Sequence, residues 1–172
     1  NASQSDCHRP VSCHFRQETS GTMPFIRSLL SWLLTFFLSA VFVHMLVYPL
    51  DGAGQGHVML QDAPGTNIFF GLLAQATGLE NLEPTGRQIF GGLGVFAGFC
   101  LLVPPLRKFG AGVAILFFAI ISGLLISPLL PMELPQSNGG EDTDGGALLY
   151  LALASLMGAA LLQWVHPRKK HR

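Results

Sequence analysis

Four long apolar stretches dominate the chain. The first runs from Phe25 to Leu50 as FIRSLLSWLLTFFLSAVFVHMLVYPL, with no formal charge after Arg27 and His44 as its only imidazole. About 20 helical residues rising 1.5 Å each cover the roughly 30 Å hydrocarbon core of a bilayer, so this stretch predicts a spanning helix. The second, Ile89 to Val103, stops at Pro104-Pro105, which cannot continue a helix. A start near Thr85 gives it about five turns. The third, Phe109 to Leu130, carries Gly110, Gly112 and Gly123 and a late Pro128, and the fourth, Gly146 to Val165, is rich in Ala and Leu. The expected spans are 25–50, 86–104, 109–130 and 146–165.

Between the first two lies TNIFFGLLAQATGL, Thr66 to Leu79, an apolar helical pattern behind an Asx or Thr cap. It is too short to cross, which predicts an interfacial or re-entrant helix packed on the bundle. The expected fold is all-α: an integral membrane four-helix bundle with a short interfacial helix between helices 1 and 2.

Composition agrees with a lipid environment. Only 12% of the 172 residues are charged, against about 25% in ordinary soluble domains. Ten basic and ten acidic residues cancel, which gives no reason to expect a nucleic-acid partner. Their distribution is more informative. Asp51, Asp62, Glu80, Glu83, Glu133, Glu141, Asp142 and Asp144 fall in the loops on one side, with Arg87 as the sole base there. Arg9, Arg16, Arg27, Arg107, Lys108, Arg168, Lys169, Lys170 and Arg172 collect on the other. Because basic residues near span ends are retained in the cytoplasm, Arg27, Arg107, Lys108, Arg168, Lys169 and Lys170 are the expected topology determinants, with both termini cytoplasmic. A cleaved signal peptide is the rival reading of the first span, but its apolar stretch exceeds the 7–15 residues of a signal core and no clean small-x-small site follows.

The candidate chemistry is sparse. His44 is an ionisable group inside a span, a costly placement that suggests quinone hydrogen bonding, proton transfer or haem ligation, set against a neutral imidazole bonded to a neighbouring helix. Arg87 lies close in sequence to Glu80 and Glu83; it can pair with one of them and seal the outer mouth of the bundle, or hold an anionic ligand or quinone carbonyl. Gln75 and Gln163 are expected to bond between helices. Gly91, Gly94 and Gly98 give the second span a face for close helix packing, with a GxxxG spacing from Gly94 to Gly98. Cys100 reads as a small buried apolar residue. No cysteine pattern makes a disulfide framework, and the acids of GGEDTDGG, Gly139 to Gly146, lack the full spacing of a calcium loop.

One stretch looks more like chemistry. CHRPVSCH, Cys7 to His14, holds two Cys-His pairs, but adjacent ligands wrap one ion poorly compared with ligands two to four residues apart, so no metal site is assigned. It also precedes MPFIRSLLSWLL, which begins at Met23 like a natural start; residues 1–22 are therefore expected to be upstream read-through or a disordered tail, and residues 23–172 the membrane domain.

The order of these features, a long first helix, a short apolar helix ending in TGLENLEP, then GRQIFGGLGVFAGFCLLVPPLRKFGAGVAILFFAIISGLL, resembles the DoxX/DoxD-like family of small four-helix bacterial membrane proteins. The likeness covers roughly Arg27 to Leu130. It implies a multi-pass protein of the bacterial inner membrane, with a quinone-linked redox complex or other membrane-complex subunits as partners and quinone as the implied cofactor. Where members often carry a lysine near the end of the first helix and a glutamate early in the second, this chain has His44 and Met45, and Leu93 and Gly94, so no catalytic role transfers to those positions. A non-catalytic membrane scaffold is the alternative. A small-solute transporter is less favoured, because no inverted repeat is visible.

Overall fold

The computed structural model describes residues 22–47, 59–60, 62–135 and 143–165. The CHRPVSCH stretch, Glu141, Asp142, Arg168, Lys169 and Lys170 lie outside the described residues. Five α-helices form: α1 Thr22–Leu46, α2 Ile68–Thr77, α3 Thr85–Leu102, α4 Arg107–Ile126 and α5 Ala147–Val165. Short 3₁₀ turns at Glu80–Leu82 and Pro104–Leu106 precede α3 and α4. Four of the helices are long and apolar enough to cross a bilayer, and the ten-residue α2 is not.

The four long helices close a ring in which α1 and α4 each touch α3 and α5. Side-chain registers fix the directions. Leu46 and Phe42 of α1 lie against Gly94 and Gly98 of α3, and Gly94 also faces Phe117 of α4 while Gly110 of α4 meets Cys100 and Leu101. Each of these pairings runs antiparallel, giving an up-and-down bundle. Phe42 bridges the diagonal to α4, its ring centroid 5.2 Å from both Phe117 and Phe118. Through Phe90, stacked 4.3 Å from Phe117, the aromatic chain reaches Phe70 of α2 and docks the short helix on the bundle.

The bundle mixes alanines with large apolar residues inside and is apolar on its outer surface as well. Ala97, Ala111, Ala114, Ala152 and Ala159 are fully buried, whereas Phe36, Ile89, Phe99, Leu116, Met157 and Trp164 face outward. In water such a surface would be an aggregation liability. In lipid, helices associate by close packing, and small residues inside are what permit it.

Three of the expected spans end early: the second stops at Leu102 instead of residue 104, two residues ahead of Pro104. The third stops at Ile126 instead of residue 130, because Pro128 disfavours helical geometry at Ser127, whose ψ of 159° is extended. The first stops at Leu46 instead of residue 50. There, the carbonyls of Met45 and Leu46 accept from the N–H groups of Met59 and Leu60, at 3.1 Å each, so the returning chain satisfies groups that every helix end leaves open. α2 starts at its expected Asx cap, the Asn67 side chain accepting from the Phe70 N–H, and the structure ends it at Gly78, whose φ is 70°.

Candidate functional site

At the end of the bundle where α1 finishes and α3 begins, Arg87 is 1% exposed. Its Nε donates to Glu83 Oε2 at 2.9 Å, one Nη to the Met59 carbonyl at 2.6 Å and the other to the Asp62 carbonyl at 3.0 Å. Glu83 uses its second oxygen to accept from the Gly65 N–H at 2.9 Å. Asp62 in turn accepts from the Asn67 amide at 2.9 Å, and Asn67 caps α2. One guanidinium thus ties together α3, the turn at Met59 and Leu60 that returns to the end of α1, and the approach to α2. Of the two carboxylates expected as partners, Glu83 is the one that pairs; Glu80 is exposed in the 3₁₀ turn. A buried cation fixed by a carboxylate and two carbonyls meets the requirement that buried charge be paired and hydrogen-bonded.

His44 sits half-buried in the last turn of α1, at the same end, and is itself engaged by a partner. It is joined to Arg87 through the backbone: its neighbour Met45 accepts from Met59, whose carbonyl receives Arg87. Among the described residues no group of three or more His, Cys, Asp or Glu side chains is placed to hold a metal ion. Asp144, at the same end, accepts from the N–H groups of Leu134, Gly146 and Leu148 at 2.8, 3.0 and 3.2 Å, so its carboxylate starts α5 and pins the preceding loop. Cys100 is buried on α3.

The glycines of α3 lie at contacts. A Cβ on Gly94 would come within 2.7 Å of a Leu46 methyl and 3.1 Å of the Phe117 ring, and one on Gly91 within 2.7 Å of Leu60. Gly98 has Phe42 at 3.7 Å.

The opposite end is organised by the turn between α3 and α4. The Cys100 and Leu101 carbonyls look four residues on to Pro104 and Pro105, which carry no N–H. Arg107 supplies part of the missing set: its Nε donates to the Leu101 carbonyl at 3.2 Å. One Nη donates to Ser31 Oγ at 3.3 Å, and the guanidinium lies 4.1 Å from the Trp32 ring centroid. The sequence pattern makes Arg107 a topology charge at the membrane edge; in the fold it is only 3% exposed and joins α1 to α4. The other members of that set behave differently. Arg27 is exposed and Lys108 half-buried, its carbonyl accepting from Gln163 of α5 at 2.7 Å. Gln163 therefore bonds between helices. Gln75, expected to do the same, is exposed on α2, because that helix buries Ile68, Phe69, Phe70 and Leu73 near its start and turns its C-terminal half outward.

The sequence pattern missed the Asp62 and Met59 carbonyls as partners of Arg87, Asn67 as the partner of the Asp62 carboxylate, and Ser31 and Trp32 as partners of Arg107. The four-residue spacing of Glu83 and Arg87 was the one local signal available. Compared with known proteins, the chain matches no family model, no curated protein and no solved structure.

Proposed function

We propose that the chain is a DoxX-like membrane subunit of the bacterial inner membrane, with both termini cytoplasmic, whose task is to anchor and assemble a larger quinone-linked complex. The observation that supports this reading is the engagement of Arg87. Arg87, which its sequence position offers as a holder of an anionic or carbonyl ligand, directs three nitrogens at Glu83, Met59 and Asp62, so its role is to lock helices together. A multi-pass bundle with large apolar residues exposed along its outer surface is suited to lateral association in lipid. Extraction of the tagged chain from native membranes in mild detergent should bring a stoichiometric partner with it. A stable monomer without a partner would overturn the assembly role.

A second reading, direct quinone or proton handling, rests on His44, an imidazole half-buried in the last turn of a spanning helix. It predicts saturable binding of a quinone analogue that His44→Ala weakens. Equal binding by wild type and variant would remove it.

A further inference from the structure

The end of the bundle around Arg107 holds an unbalanced set of charges. Arg107 opens the 20-residue α4, so its guanidinium lies beside the positive end of a long helix dipole instead of the negative end that would stabilise it. Its Nη1 reaches Ser31, but Nη2 is buried and makes no hydrogen bond with any described residue. Arg27 precedes Ser31 by four residues and so stands on the same face of α1, about one turn nearer the helix end, with its own side chain exposed. Lys108 follows directly. The described carboxylates, Asp62, Glu80, Glu83, Glu133 and Asp144, all belong to the other end of the bundle.

A buried forked donor that is incompletely bonded, an exposed cation one turn away along α1 and a helix N-terminus therefore lie at the same end of the bundle. Trp32 lies over the guanidinium and is 39% exposed, so movement of its ring opens the site toward the outside of the bundle. We propose that Arg107, Arg27 and the start of α4 form a receptor for a phosphate group. A phosphate oxygen accepting from Nη2 completes the donor set of Arg107. The phosphate charge offsets both guanidiniums and the helix dipole, an arrangement that an uncharged ligand cannot satisfy. Arg107 thus both closes the α3–α4 turn and binds a ligand, with Nε serving the first role and Nη2 the second.

The test uses the full chain carrying Trp164→Phe, which leaves Trp32 as its one tryptophan. Purified in an uncharged detergent, the protein is titrated with phosphatidylglycerol, inorganic phosphate and diacylglycerol while Trp32 emission is followed. The expected result is a saturable shift with a phosphate-bearing titrant and none with diacylglycerol. Arg107→Gln or Arg27→Gln should weaken the response about 10-fold, as expected when a charge-assisted contact to phosphate is lost. Neutralising Lys169 and Lys170 should leave the response in place, which separates the site from general attraction of the basic tail to anionic lipid. A response to inorganic phosphate alone identifies a free ion as the ligand, whereas a response that needs phosphatidylglycerol identifies a lipid headgroup; both are phosphate recognition. If Arg107→Gln fails to fold, Arg107→Lys keeps the charge without the fork and should still lose about threefold. No response to either phosphate source, or equal responses in wild type and the arginine variants, would overturn the proposal.

Discussion

Arg87 and Arg107 are both buried arginines at helix starts, at opposite ends of one bundle, yet they are held in opposite ways. Around Arg87 three nitrogens meet a carboxylate and two carbonyls, and the carboxylate is itself fixed by Gly65. Around Arg107 there is one carbonyl, one hydroxyl, an aromatic face and an Nη without a partner among the described residues. A buried charge with a complete set of partners is a structural lock, because removing it strands the groups that faced it. One with an incomplete set leaves its own desolvation uncompensated, so stability at that end must come from elsewhere, chiefly backbone packing.

The largest difference should appear when each arginine is replaced by a chain of similar length without charge. Arg87→Met leaves the buried Glu83 carboxyl without its cation and opens two carbonyls, which should cost roughly 3–5 kcal/mol in a reversible denaturation assay in micelles. Arg87→Lys should recover only part of it, since an ammonium cannot serve three acceptors arranged around a planar fork. A loss below about 1 kcal/mol for Arg87→Met would break the comparison outright.

Next in size is Gly110→Ala, which probes what holds the basic end together. Its Cβ would lie 2.7 Å from the Leu101 backbone nitrogen and 2.9 Å from the Cys100 carbonyl carbon. Backbone at a proline-bounded turn has little room to yield, so about 1–3 kcal/mol should be lost, as is usual for overpacking. Gly94→Ala, which meets the mobile tips of Leu46 and Phe117, should cost less. A reversed order would mean that helices α3 and α4 can separate at the turn.

At the acidic end, Asp144→Ala removes the acceptor for the Gly146 and Leu148 N–H groups at the start of α5 and for the Leu134 N–H of the preceding loop, and should cost about 1–2 kcal/mol. Asp144→Asn, which keeps one acceptor oxygen, should lose less. Protection of the Gly146 and Leu148 amides from hydrogen exchange gives a direct readout, and unchanged protection in the alanine variant would remove the capping role.

How much of this was legible beforehand follows from what each residue's partners are. The four long helices and the short one could be read from hydropathy, because crossing a bilayer sets a length that leaves a plain mark on sequence. Asn67 and Gly78 carried local capping signals, and the Glu83–Arg87 pair a local spacing. The rest depended on contacts made by backbone. Nothing in the sequence marks the Met59 and Asp62 carbonyls as acceptors, since their availability arises when the chain returns over the end of α1. Likewise, Arg107 follows Pro104 and Pro105 closely enough to read as a surface charge in a tight turn, and only the fold reveals that those prolines leave carbonyls for it to serve. The early end of α4 is legible in Pro128, which disfavours helical geometry at the residue before it.

The smallest effect is expected at Gln163, which donates to the Lys108 carbonyl across the basic end. That carbonyl lies inside the first turn of α4, where the helix ladder supplies a donor of its own, so the side-chain bond adds to a group already satisfied. Gln163→Leu keeps the packing volume beside Gly112 and should lose roughly 0.6 kcal/mol, the average for interhelical hydrogen bonds in membrane bundles. Measured against Arg107→Met, which should also stay within about 1 kcal/mol because it relieves an incompletely compensated buried charge while losing two long bonds, to Leu101 and Ser31, the result separates two accounts of this end. If both substitutions are mild and Gly110→Ala is not, backbone packing at the proline turn carries the stability there. A loss of 2 kcal/mol or more at Gln163 would instead make the basic end a polar lock like its counterpart, built from amide and carbonyl where the other is built from guanidinium and carboxylate.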